Sequence, residues 1–155
     1  MRGAFAPLSF CRSLAQSGAM TATAPDIAAA FAAFPDPVRQ QLWEVRRQIF
    51  KLAEEHGVGP LTESLKWGQP AYHTPRKAGS PVRLGTSKAL PEVGQVFFIC
   101  TTSLVSEFRT LFPDADCFID NRAIRLDRLP ADNEGMMALC LSRALTYHKR
   151  ASARG

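Results

Sequence analysis

The sequence predicts an α+β fold in one domain, and three features carry that prediction. At 155 residues the chain has the length of a single domain. Its apolar periodicity is helical at both ends and strand-like in the middle. The strand-like segments follow one another without crossover helices, which indicates an antiparallel sheet. The expected order is N-terminal helices, a sheet of about five strands, a short inserted helix, and a C-terminal helix.

Residues 26–34 read as a short Ala-rich helix, interrupted by Phe34-Pro35-Asp36-Pro37. Asp36 then suits an N-cap and Pro37 a first helical position. Val38, Leu42, Val45, Ile49 and Leu52 recur at spacings of four, three, four and three, the apolar stripe of one helix. Arg39, Gln40, Glu44, Arg47 and Lys51 fall mostly on the opposite face, so this helix is expected to lie on the sheet. Gly57 ends it and Pro60 cannot continue it. Leu61 to Trp67 reads as a strand entering a turn, with Ala71 and Tyr72 beginning the return. Residues 74–81 form a Pro/Gly-bearing loop, and Val82 to Ser87 a modest strand. The continuous apolar run Val96 to Cys100 suggests a central strand buried on both faces.

Ser103 is expected to cap a short helix carrying Leu104, Phe108, Leu111 and Phe112, which Pro113 stops. Cys117–Ile119 and Ala123–Leu126 flank Asp120-Asn121-Arg122, a hairpin signal because Asn tolerates the left-handed region. Asp132 or Asn133 caps the last helix, whose stripe is Met136, Met137, Cys140, Leu141, Ala144, Leu145 and His148. Three regions result: residues 1–24, disordered or an over-extension upstream of Met20; the domain, 25–149; and a flexible tail, 150–155.

Composition narrows the function classes. The net charge of +5 comes from dispersed basic residues, so there is no specific nucleic-acid signal. No apolar run approaches the length of a membrane span. The four cysteines, Cys11, Cys100, Cys117 and Cys140, lie at no metal or redox spacing. They read as buried free thiols in a reducing cytoplasm.

The densest group of special residues is Glu63-Ser64-Leu65-Lys66-Trp67-Gly68-Gln69-Pro70-Ala71-Tyr72. It holds one of the two tryptophans, beside a glycine free to take positive φ and a proline with fixed φ. This segment resembles the Lys-Trp-Gly-x-Pro-x-Tyr signature of the YdhG-like family, a domain of unknown function. The second half, Leu104-x-x-x-Phe108-x-x-x-Phe112-Pro113, then Phe118-x-x-Asn121-Arg122-Ala123-Ile124 and a helix ending at Tyr147-His148, is similar to the usual order of that family. The resemblance covers about residues 25–149. It implies a compact helix-sheet-helix domain and, from one branch, a frataxin-like iron chaperone. It brings no established catalytic residues.

Two readings of the turn are open. In one, Trp67 packs under the N-terminal helix as part of a rigid apolar corner, largely buried, with Gly68 at positive φ. In the other, Trp67 and Tyr72 wall a pocket, with Lys66 as an anion anchor and Glu63 as a base. Strand alternation puts Glu63, Leu65 and Trp67 on one face, and Ser64 and Lys66 on the other. Arg122 is either an anion-binding fork or a solvated hairpin tip.

His56, His73 and His148 are scattered, and Arg46, Arg47 and Lys51 dilute the acids Glu44, Glu54, Glu55, Asp114 and Asp116. The residues therefore speak against a metal site, and iron enters only through the resemblance. Serine-hydrolase, P-loop and dinucleotide motifs are missing from the sequence.

The expected function is a non-enzymatic cytoplasmic module without a cofactor. It would bind a small molecule or protein through Lys66, Trp67, Tyr72, His73 and Arg122. The alternatives are the iron chaperone and an enzyme using polar groups at the same turn.

Overall fold

A computed structural model describes residues 22–131 and 133–154. Most of the predicted segment 1–24 therefore lies outside the described residues. The helices are α1 (Pro25–Ala32), α2 (Asp36–Glu55), α3 (Leu104–Leu111), α4 (Asn133–Leu145) and α5 (Tyr147–Arg154). The strands are β1 (Thr62–Lys66), β2 (Gln69–His73), β3 (Val82–Gly85), β4 (Gln95–Phe98), β5 (Phe118–Ile119) and β6 (Ala123–Arg125). They form one sheet in the order β1-β2-β3-β4-β6-β5, with every neighbouring pair antiparallel. The class is α+β, as the sequence predicts, with six strands in place of about five.

Register assigns the two faces of the sheet. Glu63, Tyr72, Val82 and Phe98 line up across four strands, and Leu84, Val96, Ile124 and Phe118 form the next row on the same face. Of these, Tyr72, Val82, Phe98, Leu84, Val96 and Ile124 belong to a core cluster shared with Leu42, Ile49, Phe108 and Leu141 from the helices. Helix α2 packs along α4 above this face, and α1 rests on α2, β1 and β2. Phe31 of α1 stacks on Trp43 of α2 at 4.0 Å between ring centroids.

The end of α2 follows the sequence closely. Gly57 takes φ +63°, Val58 N–H donates to the Ala53 carbonyl, and Gly57 N–H donates to the Glu54 carbonyl. That is the paired closure glycine permits at a helix C-terminus.

Several expectations need correction. The continuous apolar run beyond Phe98 is not strand: Ile99 and Cys100 are exposed, so Cys100 is not a buried thiol. In the β5–β6 turn Asp120, not Asn121, takes the left-handed conformation, at φ +48°. Asn121 instead donates its side-chain amide to the carbonyls of Cys100 and Thr102. Neither Asp36 nor Ser103 makes a capping bond to the backbone; Asp36 pairs with Arg39, and Ser103 donates to Glu107 at 2.7 Å. The polar C-terminal tail is helical to Arg154, and Arg150 folds back onto the Arg143 carbonyl and Glu107. His148, placed on the apolar stripe, is exposed because the chain breaks helix at Thr146 before α5 begins.

Candidate functional site

The signature segment is a tight hairpin. Lys66 pairs with Gln69, leaving only Trp67 and Gly68 in the loop. Both have positive φ, 55° and 75°, as a two-residue turn matching the right-handed twist of its strands requires. Asn-Gly is the usual choice there, and a bulky aromatic residue in this region is strained. Trp67 is 89% exposed. The expected burial under the N-terminal helix is therefore wrong. Strand alternation stops at Lys66, and the turn carries the next side chain beyond the edge of both faces.

Pro70 belongs to β2 rather than to the turn. Opposite Leu65 it sits at the end of the β2–β3 ladder, where its missing N–H costs little. The Gln69 side chain bridges this gap by donating to the Thr86 carbonyl at 2.7 Å.

Tyr72 is fully buried. It was expected at the ligand surface and is not available there. Its phenol donates to Glu63 at 2.8 Å. The same carboxylate accepts two bonds from the Arg46 guanidinium, at 2.6 and 2.8 Å. Arg46 is 5% exposed, and the Glu63 side chain 10%. The Arg46 guanidinium lies over Phe50 at 4.7 Å and Trp43 at 5.3 Å, and Phe50 meets the Tyr72 ring edge-on. Burial works against the charge of Arg46, but the bonds and charge of Glu63 outweigh it and raise its pKa. Burial, then the Glu63 charge, pushes the Tyr72 phenol far above its ordinary range. A carboxylate committed to these partners is a structural anchor, not an exposed general base.

On the opposite face of the sheet, one row runs Ser64, Ala71, Arg83, Phe97, Ala123, and the next contains Lys66, Gln69, Gly85, Gln95 and Arg125. Ala71, Phe97 and Ala123 are buried yet lie outside the main core cluster. Arg83 stands at the centre. Its guanidinium covers Phe97 at 5.0 Å and donates to Gln69 at 2.8 Å. Gly85 makes this possible, since a Cβ there would come within 2.5 Å of the Gln69 side chain. Burial, then the nearby charge of Arg122, lowers the Arg83 pKa. His73 is half-buried, and its pKa falls through burial and then the charge of Lys66. Among the described residues, Lys66, Arg83 and Arg122 have no carboxylate at ion-pair distance.

The structure thus puts Trp67 at the tip and removes Tyr72 to the core, while the charges of Lys66 and Arg122 act only as the smaller causes of the lowered pKa of His73 and of Arg83. Arg83, Gln69 and Arg46 were missed. The Arg46 signal was present: it lies four residues after Leu42 and three before Ile49, on the buried side of α2. Among the described residues, no three His, Cys, Asp or Glu side chains form a group that could hold a metal ion. No helix among them is long and apolar enough to cross a membrane.

Comparison of the chain with family models, with curated proteins and with solved structures finds no match.

Proposed function

We propose that this chain is a cytoplasmic, non-enzymatic interaction module of YdhG-like kinship, which grips an anionic partner between its hairpin tip and the cationic face of its sheet. The observation that carries the reading is Trp67, held 89% exposed in a backbone conformation that disfavours it. Strain of this kind costs about 1–3 kcal/mol and persists where the side chain has a use. An exposed indole on a rigid turn is a strong anchor for a partner, because little entropy remains to be lost on binding.

Lys66, Arg83 and Arg122 supply the charge. Arg83 is pre-oriented by Gln69 and Phe97, which suits a carboxylate or phosphate. The internally satisfied Arg46–Glu63–Tyr72 network favours a scaffold over a catalytic centre. Cys117 and Cys140 are buried free thiols, which supports a reducing compartment; burial pushes the Cys140 thiol up to about 12.

The test is photo-crosslinking from position 67 in whole cells, followed by titration of the purified captured partner. Trp67→Ala should weaken that complex by about thirtyfold, equivalent to about 2 kcal/mol, without lowering the unfolding midpoint. Arg83→Gln should weaken it and flatten its salt dependence. Full affinity in Trp67→Ala, or binding insensitive to salt, would refute the proposal.

A further inference from the structure

We infer a second binding site, separate from the hairpin, in the recess where α2 ends: a pocket for a small aromatic or alkyl amine in its protonated form. The recess measures about 420 Å³, within the range of small-molecule sites. It is open to solvent on one side, where Glu54, Gly57, Gly59 and Pro60 are exposed, and Phe50, Ala53 and Leu61 give it apolar walls on the other. Phe50 is held in this wall by the Arg46 guanidinium, 4.7 Å from its ring centroid, and by a perpendicular contact with Tyr72 at 5.8 Å between ring centroids.

Charge selects the occupant. The 20-residue α2 directs the negative end of its dipole here. Its last turn carries Glu54 and Glu55 and no basic residue, the reverse of what the dipole favours. Lys51 reaches Glu55 at 3.9 Å, whereas Glu54, which lines the recess, has no ion-pair partner among the described residues. A ligand with an apolar body and one positive charge would cover the walls and offset both the carboxylate and the helix end. An anion would meet repulsion from each. The chain carries a net +5, so an acidic site of this kind is a local feature and not a consequence of overall charge.

Amide NMR titrations of the full chain near neutral pH test this with four probes: phenethylamine, its neutral isostere phenethyl alcohol, phenylacetate, and Nα-acetyl-lysine N-methylamide. The amine should give saturable shifts confined to residues 50–61, where the recess lies. The alcohol should bind about two- to fivefold more weakly, the contribution of one contact to an exposed carboxylate, and the acid more weakly still. Glu54→Gln should remove most of the amine's advantage over the alcohol, the helix end keeping the rest, while Glu55→Gln should have a smaller effect. Glu54 is exposed, so its variant should keep the parent unfolding midpoint. Equal binding of amine and alcohol, indifference to Glu54→Gln, or no saturation below about 20 mM, a binding energy of only about 2 kcal/mol, would overturn the inference. Tighter binding of the lysine derivative would overturn it too, by pointing to a partner's lysine rather than a free amine. Trp67→Ala should leave these titrations unchanged, so this result is independent of the hairpin.

Discussion

Removing Arg46 alone should damage the protein far more than removing the whole network to which it belongs. Arg46→Met keeps an unbranched apolar stem against Trp43 and Phe50 but strips Glu63 of two hydrogen bonds, at 2.6 and 2.8 Å, and of its only ion-pair partner among the described residues. The carboxylate left behind is 10% exposed, and only the Tyr72 hydroxyl remains to it. Breaking one side of a buried pair costs about 3–5 kcal/mol, because the surviving charge has neither water nor partner. For a chain of this length, that corresponds to a fall of about 6–20 °C in unfolding midpoint. The triple variant Arg46→Met, Glu63→Leu, Tyr72→Phe removes both charges and the hydroxyl together. It should return to within about 1 kcal/mol of the parent, since apolar replacement of an entire buried pair is often neutral or stabilising. Urea unfolding followed by far-UV circular dichroism measures all variants, with equal m-values as the check that the compared states match. A loss below about 1 kcal/mol in Arg46→Met would show that no buried charge is at stake. A triple variant as unstable as the single one would show that shape, not charge, makes the network matter.

Trp67→Asn should stabilise the fold by about 0.5–1 kcal/mol, because Asn accepts φ 55° where Trp is strained and the lost side chain is almost wholly in solvent; a fall in the urea midpoint would mean that the indole packs against the protein in solution. His73 should titrate below 6.5 by NMR, and Lys66→Gln should raise its pKa only part of the way, since burial is the larger cause and the Lys66 charge the smaller. The neutral imidazole is the form the fold prefers, so its contribution to stability is complete above 6.5 and is lost as pH falls through the depressed folded value. The slope of stability against pH in that window should therefore shrink in His73→Asn, and an unchanged slope would refute the linkage. Gly79→Ala should cost about 1–3 kcal/mol, as its Cβ would meet the rigid Leu145 carbonyl at 2.2 Å; full stability in a thermal melt would show that the end of α4 yields easily.

The elements were legible where one periodicity ruled. The α2 stripe from Val38 to Leu52 and the closing Gly57 reappear in the structure, because a long amphipathic helix states its buried face repeatedly. The hairpin was harder to read. Trp67-Gly68 does not look like Asn-Gly, and apolar size suggested burial where turn geometry dictated exposure. Tyr72 and Arg46 failed in the opposite sense. Each bears a polar group that reads as surface, and each is buried because Glu63, on another element, satisfies it. Single-sequence reasoning treats side chains one at a time, while burial of a polar group is decided by its partner. Arg83 was invisible for the same reason, since Gln69 and Phe97 come from two other strands.

The buried network and the exposed indole are coupled through the register of one hairpin. Glu63 faces Tyr72 three residues below the Lys66–Gln69 pair that closes the turn, so the network lies about 10 Å from that pair. A slip of one residue in β1 would turn Glu63 to the other face of the sheet and leave Arg46 charged, buried and alone. That penalty excludes the shifted register. It thereby fixes the two-residue length of the loop, which in turn forces Trp67 into the left-handed region and out into solvent. An apolar network of equal volume would bury as much surface but would punish a slip less, because Leu on the wrong face costs less than an unpaired buried charge. The polar network therefore contributes more to the position of the hairpin than to net stability, and the strain at Trp67 is held in place because the register of its strands cannot drift.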